Sequence, residues 1–275
     1  MPELPEVEII RRYLDENLAG RTIDDVTILL PRQLKHPDPE AFRVLVRGQR
    51  IERVARRGKY LLIHLQEGAH LVFHLRMTGS LVYEPHGTAA ETGHTRMVFS
   101  LAGGGALRFS DIRTFGCVYG FAAGEEIAVP GLQSLGPEPL SDEFTSSYLA
   151  AALKGRKQPV KSFLLDQRRI AGLGNIYADE ALFLARIDPR RAAGSLSVAE
   201  CRRLAEAVRK VLRDGIADGG TTFRDYRNGA GESGHHQEHL YVYHREGKPC
   251  PVCGRPVEKI TVGGRGTHFC PYCQS

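Results

Sequence analysis

Chemistry can be read first at the two ends of the chain. Cys250-Pro-Val-Cys253 and Cys270-Pro-Tyr-Cys273 are two close pairs with sixteen residues between them. Two Cys-x-x-Cys turns at this separation supply four thiolates to one tetrahedral Zn²⁺. Four protein ligands leave no open coordination position, so the ion is expected to be structural and to fold a segment too short for its own core. Free thiols or two disulfides are the alternative. Cys117 and Cys201 stand alone and read as ordinary buried residues. The other end reads Met1-Pro2-Glu3-Leu4-Pro5-Glu6-Val7-Glu8. If Met1 is removed, Pro2 presents a secondary amine. An α-amino group titrates near ~8, and an adjacent helix amino end disfavours positive charge there. Such an amine is a nucleophile able to form an iminium with an aldehyde-like carbon. The same residues also suit a plain capped helix, with proline in the first turn and glutamates against the dipole.

Basic residues recur where glycines bend the chain. Lys154-Gly-Arg156-Lys157-Gln-Pro-Val-Lys161 leads into Gly172-Leu-Gly174-Asn175-Ile-Tyr177. A Gly-x-Gly turn opening a helix lets backbone N–H groups approach a phosphate. It lacks the long fingerprint of a dinucleotide cofactor, and docking on the phosphates of DNA fits better. Arg265, between Gly264 and Gly266, can clamp a phosphate from a hairpin tip or be a solvated turn residue. Lys59 follows the Arg57-Gly58 turn, where it can titrate near a site or hold a phosphate. His74-Leu-Arg76-Met77-Thr78-Gly79 and Asp111-Ile-Arg113-Thr114-Phe115-Gly116 each put an apolar and a basic residue at a glycine-bounded turn. Met77 and Phe115 then read either as wedges into a base stack or as core residues at strand ends. His235, His236 and His239 have helix-like metal spacing but lack a zincin glutamate, so no second metal is expected.

These groups need elements to hold them. Leu4, Val7, Ile10, Leu14 and Leu18 recur at helical spacing before Gly20, predicting an amphipathic helix over 3–19. Short β-branched and aromatic runs over 21–130, punctuated by glycine, predict an antiparallel sandwich. The proline- and glycine-rich residues 131–141 read as a linker. Helical periodicity follows near 142–153, 158–166, 174–185 and 197–215, the last opened by a Ser197/Glu200 capping box. The expected domains are therefore 1–130, 142–240 and 241–275. The glycine-rich loop 218–238 within the second is long enough to be mobile and functional. With 275 residues, 42% hydrophobic and 25% charged, the composition is that of a multidomain globular protein. No apolar run approaches the ~20 residues of a membrane helix. A net charge of +5 permits a nucleic-acid partner without demanding one. Cysteines without a signal peptide argue for a reducing, cytosolic compartment.

Taken together, the Pro2–Glu8 opening, the Lys59 turn, the Met77 and Arg113/Phe115 loops, Gly172–Tyr177 and Gly264-Arg265-Gly266-Thr267-His268-Phe269-Cys270-Pro271 resemble the bacterial formamidopyrimidine-DNA glycosylase family. The likeness runs end to end and keeps the order of every block. It implies an α+β multidomain fold: an N-terminal β-sandwich with flanking helices, a helix–two-turn–helix domain and a C-terminal β-hairpin zinc finger, with DNA in the cleft between. It implies a monomeric enzyme that excises oxidised purines from damaged double-stranded DNA and nicks the strand. That enzyme would use one structural Zn²⁺, no nucleotide cofactor and no membrane, in the bacterial cytoplasm at the nucleoid. By the resemblance Pro2 attacks the sugar C1′, Glu3 is the general acid–base, and Lys59 and Arg265 assist β- and δ-elimination. Met77, Arg113 and Phe115 would fill the gap left by the flipped nucleotide. His74, His94, Arg156, Lys157, Asn175, Tyr241 and Lys259 would contact DNA, and the Thr221-Thr222 loop would cap the extruded base. Thr78 stands where some relatives carry an acidic residue. Two readings compete: an endonuclease VIII-like glycosylase for oxidised pyrimidines, and a non-catalytic zinc-bearing DNA-binding protein.

Overall fold

The computed structural model describes residues 1–87 and 93–275. Helix α1 (Leu4–Leu18) buries the expected stripe completely, with Leu4, Val7, Ile10, Leu14 and Leu18 all at 0% exposure. Burying five such side chains contributes roughly 1.5–3 kcal/mol each before entropy is counted. Strands β1 (Ile23–Ile28) and β2 (Leu34–His36) follow, then helix α2 (Pro39–Val46). The Asp38 carboxylate caps α2, accepting from the N–H groups of Glu40 and Ala41 at 3.0 Å each. This helix lies inside the stretch whose texture predicts strands alone. Its Pro39 and Asp38 start signals are present, but eight residues are too few for periodicity to stand out.

Strands β3 (Ile51–Arg57), β4 (Tyr60–Leu65), β5 (His70–His74), β6 (Gly79–Glu84), β7 (Thr95–Leu101), β8 (Ala106–Asp111) and β9 (Cys117–Phe121) complete two sheets. One has the order β1-β7-β8-β6 and the other β2-β9-β5-β4-β3. All neighbours are antiparallel except β2 and β9. The inner faces meet through edge-on aromatic contacts of Phe73 with Phe99 and Phe109, and Phe42 of α2 joins Phe99. The predicted sandwich is thus present.

By its contacts the chain divides into two compact units: Met1–Gln133 with Asp218–His235, and Ser134–Ala217 with His236–Ser275. Of the glycine-rich loop expected over 218–238, the segment from Asp218 to His235 belongs to the first unit. Thr221 N–H donates to Glu6 Oε1 at 2.8 Å, Tyr83 N–H donates to the Gly229 carbonyl at 2.9 Å, and the Tyr226 ring joins the sandwich core.

The second unit contains α3 (Ser146–Leu153), α4 (Val160–Leu164), α5 (Asn175–Ala185) and α6 (Val198–Ala217), close to the helices expected. The Ser197/Glu200 capping box forms, at 2.8 and 3.3 Å. Gly215 of α6 lies against the fully buried Tyr177 of α5, where a Cβ would come within 2.5 Å of the ring. An antiparallel hairpin of β10 (Glu258–Val262) and β11 (Arg265–Phe269) completes the unit. Among the described residues, no helix is long and apolar enough to cross a membrane.

Candidate functional site

In the first unit the amino terminus is packed, not frayed. Pro2 is buried, and Glu3 and Glu6 are 2% and 1% exposed. The Glu6 carboxylate accepts from the Glu3 N–H and from the Thr221 N–H, each at 2.8 Å. One buried side chain therefore fixes both the residue after Pro2 and the 218–235 loop. Gly220 makes this approach possible: its φ is +84°, and a Cβ there would meet the Tyr226 ring and Glu6.

The Lys59 turn is fixed to the same helix. The Arg56 guanidinium donates to Glu8 at 3.0 Å and to the Gly58 carbonyl at 3.0 Å. Burial pushes the Glu8 carboxyl up, but hydrogen bonds from Arg11, Arg12 and Arg56 outweigh it and hold the pKa at about 2. Glu8 is thus an anion at neutral pH that joins α1 to the β3–β4 turn carrying Lys59. His74 sits at the end of β5, edge-on to Tyr60 at 4.6 Å. Burial, with the nearby Arg76 and Lys59 charges, lowers its pKa to about 3. Its Nδ1 accepts the Arg76 N–H at 3.0 Å, so the neutral ring carries its proton on Nε2, a donor suited to a phosphate oxygen.

Met77, Arg113 and Phe115 come together at two neighbouring loop tips. Arg113 Nη1 is 3.0 Å from Met77 Sδ, and its guanidinium lies 4.8 Å from the centre of the Phe115 ring. Met77 is 42% and Phe115 52% exposed. This decides against the core reading of both, because large apolar groups at that exposure are not packed into the sandwich. His94 is exposed, and its carbonyl accepts the Asp111 N–H at the end of β8.

In the second unit a buried polar cluster holds the hairpin that presents Arg265. Lys161 and Asp179 are fully buried and 2.6 Å apart. Lys161 Nζ also donates to the Gly266 carbonyl at 3.0 Å and to Thr267 Oγ1 at 2.8 Å. Asn175 Nδ2 donates to that same carbonyl at 3.0 Å, and Asp179 Oδ2 accepts the His268 N–H at 2.8 Å. Arg265 itself is exposed. The sequence places Lys161 in a basic run suited to a phosphate; in the structure it points inward and binds the hairpin to α4 and α5. Arg156 and Lys157, from the same run, are exposed, as is Lys259, whose ammonium lies 3.6 Å from Glu246.

Glu180 does for Tyr241 what Asp179 does for the hairpin. Its carboxylate accepts the N–H groups of Tyr241, Val242 and Tyr243 at 2.7–2.9 Å. Burial raises its pKa to about 7 despite those donors, and Asp179 adds to the rise. Tyr241 stacks on Phe183, with ring centres 5.5 Å apart. Sequence reasoning singles out neither Asp179 nor Glu180, and it gives Glu6 and Lys161 no inward-facing role. The one available signal is polar residues inside apolar helical stretches, as in Ile176-Tyr177-Ala178-Asp179-Glu180-Ala181-Leu182.

The four paired cysteines converge, with sulfurs all within 4.8 Å of one another. Cys250 and Cys273 sulfurs are 3.9 Å apart, and those of Cys253 and Cys270 are 3.6 Å apart. Thiolates ~2.3 Å from a tetrahedral Zn²⁺ stand about 3.8 Å from each other, whereas a disulfide needs ~2.05 Å. The residues fit one zinc ion with all four positions taken, and its contribution there is structural.

Three family matches follow the chain in order. Residues 1–118 match the formamidopyrimidine-DNA glycosylase N-terminal domain, 135–227 the formamidopyrimidine-DNA glycosylase H2TH domain, and 247–275 the zinc finger found in FPG and IleRS. The formamidopyrimidine-DNA glycosylase of Moorella thermoacetica is 54% identical over 260 residues, 94% of each chain. The crystal structure of MutM (Fpg) from Thermus thermophilus superposes with a TM-score of 0.88 at 46% identity, covering 99% of this chain and 98% of that one. A Lactococcus lactis Fpg mutant in complex with Fapy-dG-containing DNA superposes at 0.93 with 34% identity over 100% of both chains. The Lactococcus protein is also solved with DNA containing an abasic site, at a TM-score of 0.92 and 34% identity over 99% of both chains. End-to-end identity at this level, on the same three-part architecture, makes the chain a member of the formamidopyrimidine-DNA glycosylase family.

Proposed function

We propose that this chain excises oxidised purines, 8-oxoguanine and formamidopyrimidines, from double-stranded DNA and cleaves the resulting abasic strand. The observation that carries this reading is the full-length likeness to a relative solved on Fapy-dG-containing DNA. The buried, hydrogen-bonded amino terminus supports it chemically. Pro2, freed of Met1, attacks C1′ of the damaged nucleotide. The N-glycosidic bond breaks, and the base leaves with the bonding pair and takes up a proton. Opening of the sugar C1′–O4′ bond yields an iminium on Pro2, with Glu3 moving the proton that the Pro2 nitrogen gives up to O4′. The iminium withdraws electrons, so the C2′ proton is lost and the 3′-phosphate departs; a second elimination expels the 5′-phosphate. Lys59 and Arg265 hold the flanking phosphates through these steps. His74, His94, Arg156, Lys157, Asn175, Tyr241 and Lys259 track the backbone, and the Thr221-Thr222 loop caps the extruded base. Met77, Arg113 and Phe115 replace the stacking lost on flipping, which costs a few kcal/mol and costs less for a damaged base. One chain serves one duplex, acting in the bacterial cytoplasm on nucleoid DNA.

Borohydride reduction tests the core of this reading. An 8-oxoguanine:C duplex is expected to yield a covalent adduct with the processed chain and none with Pro2→Gly or with Met1 retained. Absence of any trapped species from processed protein overturns the enzyme reading in favour of a DNA-binding protein. Faster release of thymine glycol than of 8-oxoguanine overturns the substrate class.

A further inference from the structure

Asp111, the last residue of β8, is 1% exposed, and both of its carboxylate oxygens are engaged. Oδ1 accepts the Thr78 hydroxyl at 2.6 Å. Oδ2 accepts Gln33 Nε2 at 2.8 Å and the Gly116 N–H at 2.7 Å. The Thr78 oxygen in turn accepts the Arg113 N–H at 3.0 Å, and Gln33 Nε2 also donates to the Gly116 carbonyl at 3.0 Å. Gly116 must be glycine for this closure, since a Cβ would come within 2.7 Å of the Phe109 ring and 3.1 Å of Asp111 Oδ2.

These bonds join the β5–β6 loop to the β8–β9 loop. Gly79 and Asp111 already face each other as partners across β6 and β8. Each loop tip carries a non-glycine residue in the left-handed region, Arg76 at φ 55° and Thr114 at φ 57°. Such residues persist where surrounding bonds over-determine the backbone. Met77 follows Arg76, and Thr114 separates Arg113 from Phe115, so the two strained residues set the direction of all three exposed side chains.

We propose that Asp111 and Thr78 are positioning residues that lock Met77, Arg113 and Phe115 into a single preformed wedge before DNA arrives. The proposal rests on the wedge role assigned to those three residues above. A buried carboxylate with both oxygens bonded inside the protein does not serve the substrate; its work is geometric. Holding the wedge in place in the free protein removes the ordering cost from the moment of nucleotide opening. Thr78 supplies this latch with a hydroxyl that both donates and accepts, which links the loops in series.

The test is Thr78→Val, which keeps the shape and removes both bonds, with Thr78→Ser as rescue. Opening is read from the fluorescence rise of 2-aminopurine placed beside the lesion in an 8-oxoguanine:C duplex, and excision from the single-turnover rate. Met77→Ala and Phe115→Ala run alongside. Loss of a buried hydrogen-bonded link predicts about a tenfold drop in both opening and excision for Thr78→Val. Thr78→Ser is expected to return both to near wild type. If Thr78→Val does not fold, Asp111→Asn, with one acceptor replaced by a donor, is measured against the same expectation. Wild-type opening in Thr78→Val, with Met77→Ala and Phe115→Ala impaired, overturns the latch and leaves the wedge standing. Wild-type opening in both alanine variants overturns the wedge reading itself, and the latch with it.

Discussion

Lys161→Met probes the polar cluster that carries the Arg265 hairpin. Lys161 is fully buried, ion-paired with Asp179 at 2.6 Å, and donates to the Gly266 carbonyl at 3.0 Å and to Thr267 Oγ1 at 2.8 Å. Methionine fills nearly the same volume, so the packing change is small and the electrostatic change dominates. The substitution leaves the Asp179 carboxylate buried without its counter-charge, a loss of about 3–5 kcal/mol when one partner of a buried pair is removed. In a unit of this size each kcal/mol moves the melting temperature by roughly 3–5 °C, so a fall of about 9–25 °C is expected in the transition of the second unit. Lys161→Met/Asp179→Leu removes both charges. It still strands the His268 N–H, which costs about 1–3 kcal/mol, and it should therefore melt above the single variant. Calorimetry of the full chain at pH 7 reads both. DNA affinity should fall with the single variant, because the hairpin that presents Arg265 is anchored through this cluster. A single variant within about 1 kcal/mol of wild type, or a double variant that melts no higher than the single, overturns this role for Lys161.

Two other outcomes follow from the site. Cys253→Ser should release the metal and weaken DNA binding while the first unit keeps its melting transition; metal analysis with a binding isotherm checks this, and unchanged affinity after verified metal loss counts against it. His74 is held neutral, with its pKa lowered from 6.5 to about 3 by burial and by Arg76 and Lys59. A histidine depressed in the folded state contributes stability above its unfolded pKa. That stability declines as the pH falls from 6.5 towards 3, where the unfolded chain takes up a proton that the folded chain refuses. His74→Gln should flatten this acid-side slope in melting temperature against pH, and an unaltered slope would remove His74 as its source.

Much of this protein is legible from short-range pattern. The cysteine spacing points to the metal site because four sulfurs on two tight turns need few other residues to converge, and the structure brings them within tetrahedral reach. The leucine and valine stripe of α1, the strand-and-glycine texture of the sandwich and the Ser197/Glu200 cap are equally local, so each element appears close to where the pattern predicts. Tertiary structure alone decided which polar groups meet. Glu6 reaches the Thr221 N–H across 215 residues, Asp111 meets Gln33 across 78 and Thr78 across 33, and Lys161 meets Thr267 across 106. Nothing in the spacing of these residues marks them as partners, because their separation is set by how sheets and helices stack within each unit. Lys161 shows the limit most plainly. Its neighbours Arg156 and Lys157 face solvent as their composition suggests, yet the turn of α4 swings this one ammonium inward. There an Asp179 carboxylate and two oxygens of the Arg265 hairpin make its burial tolerable.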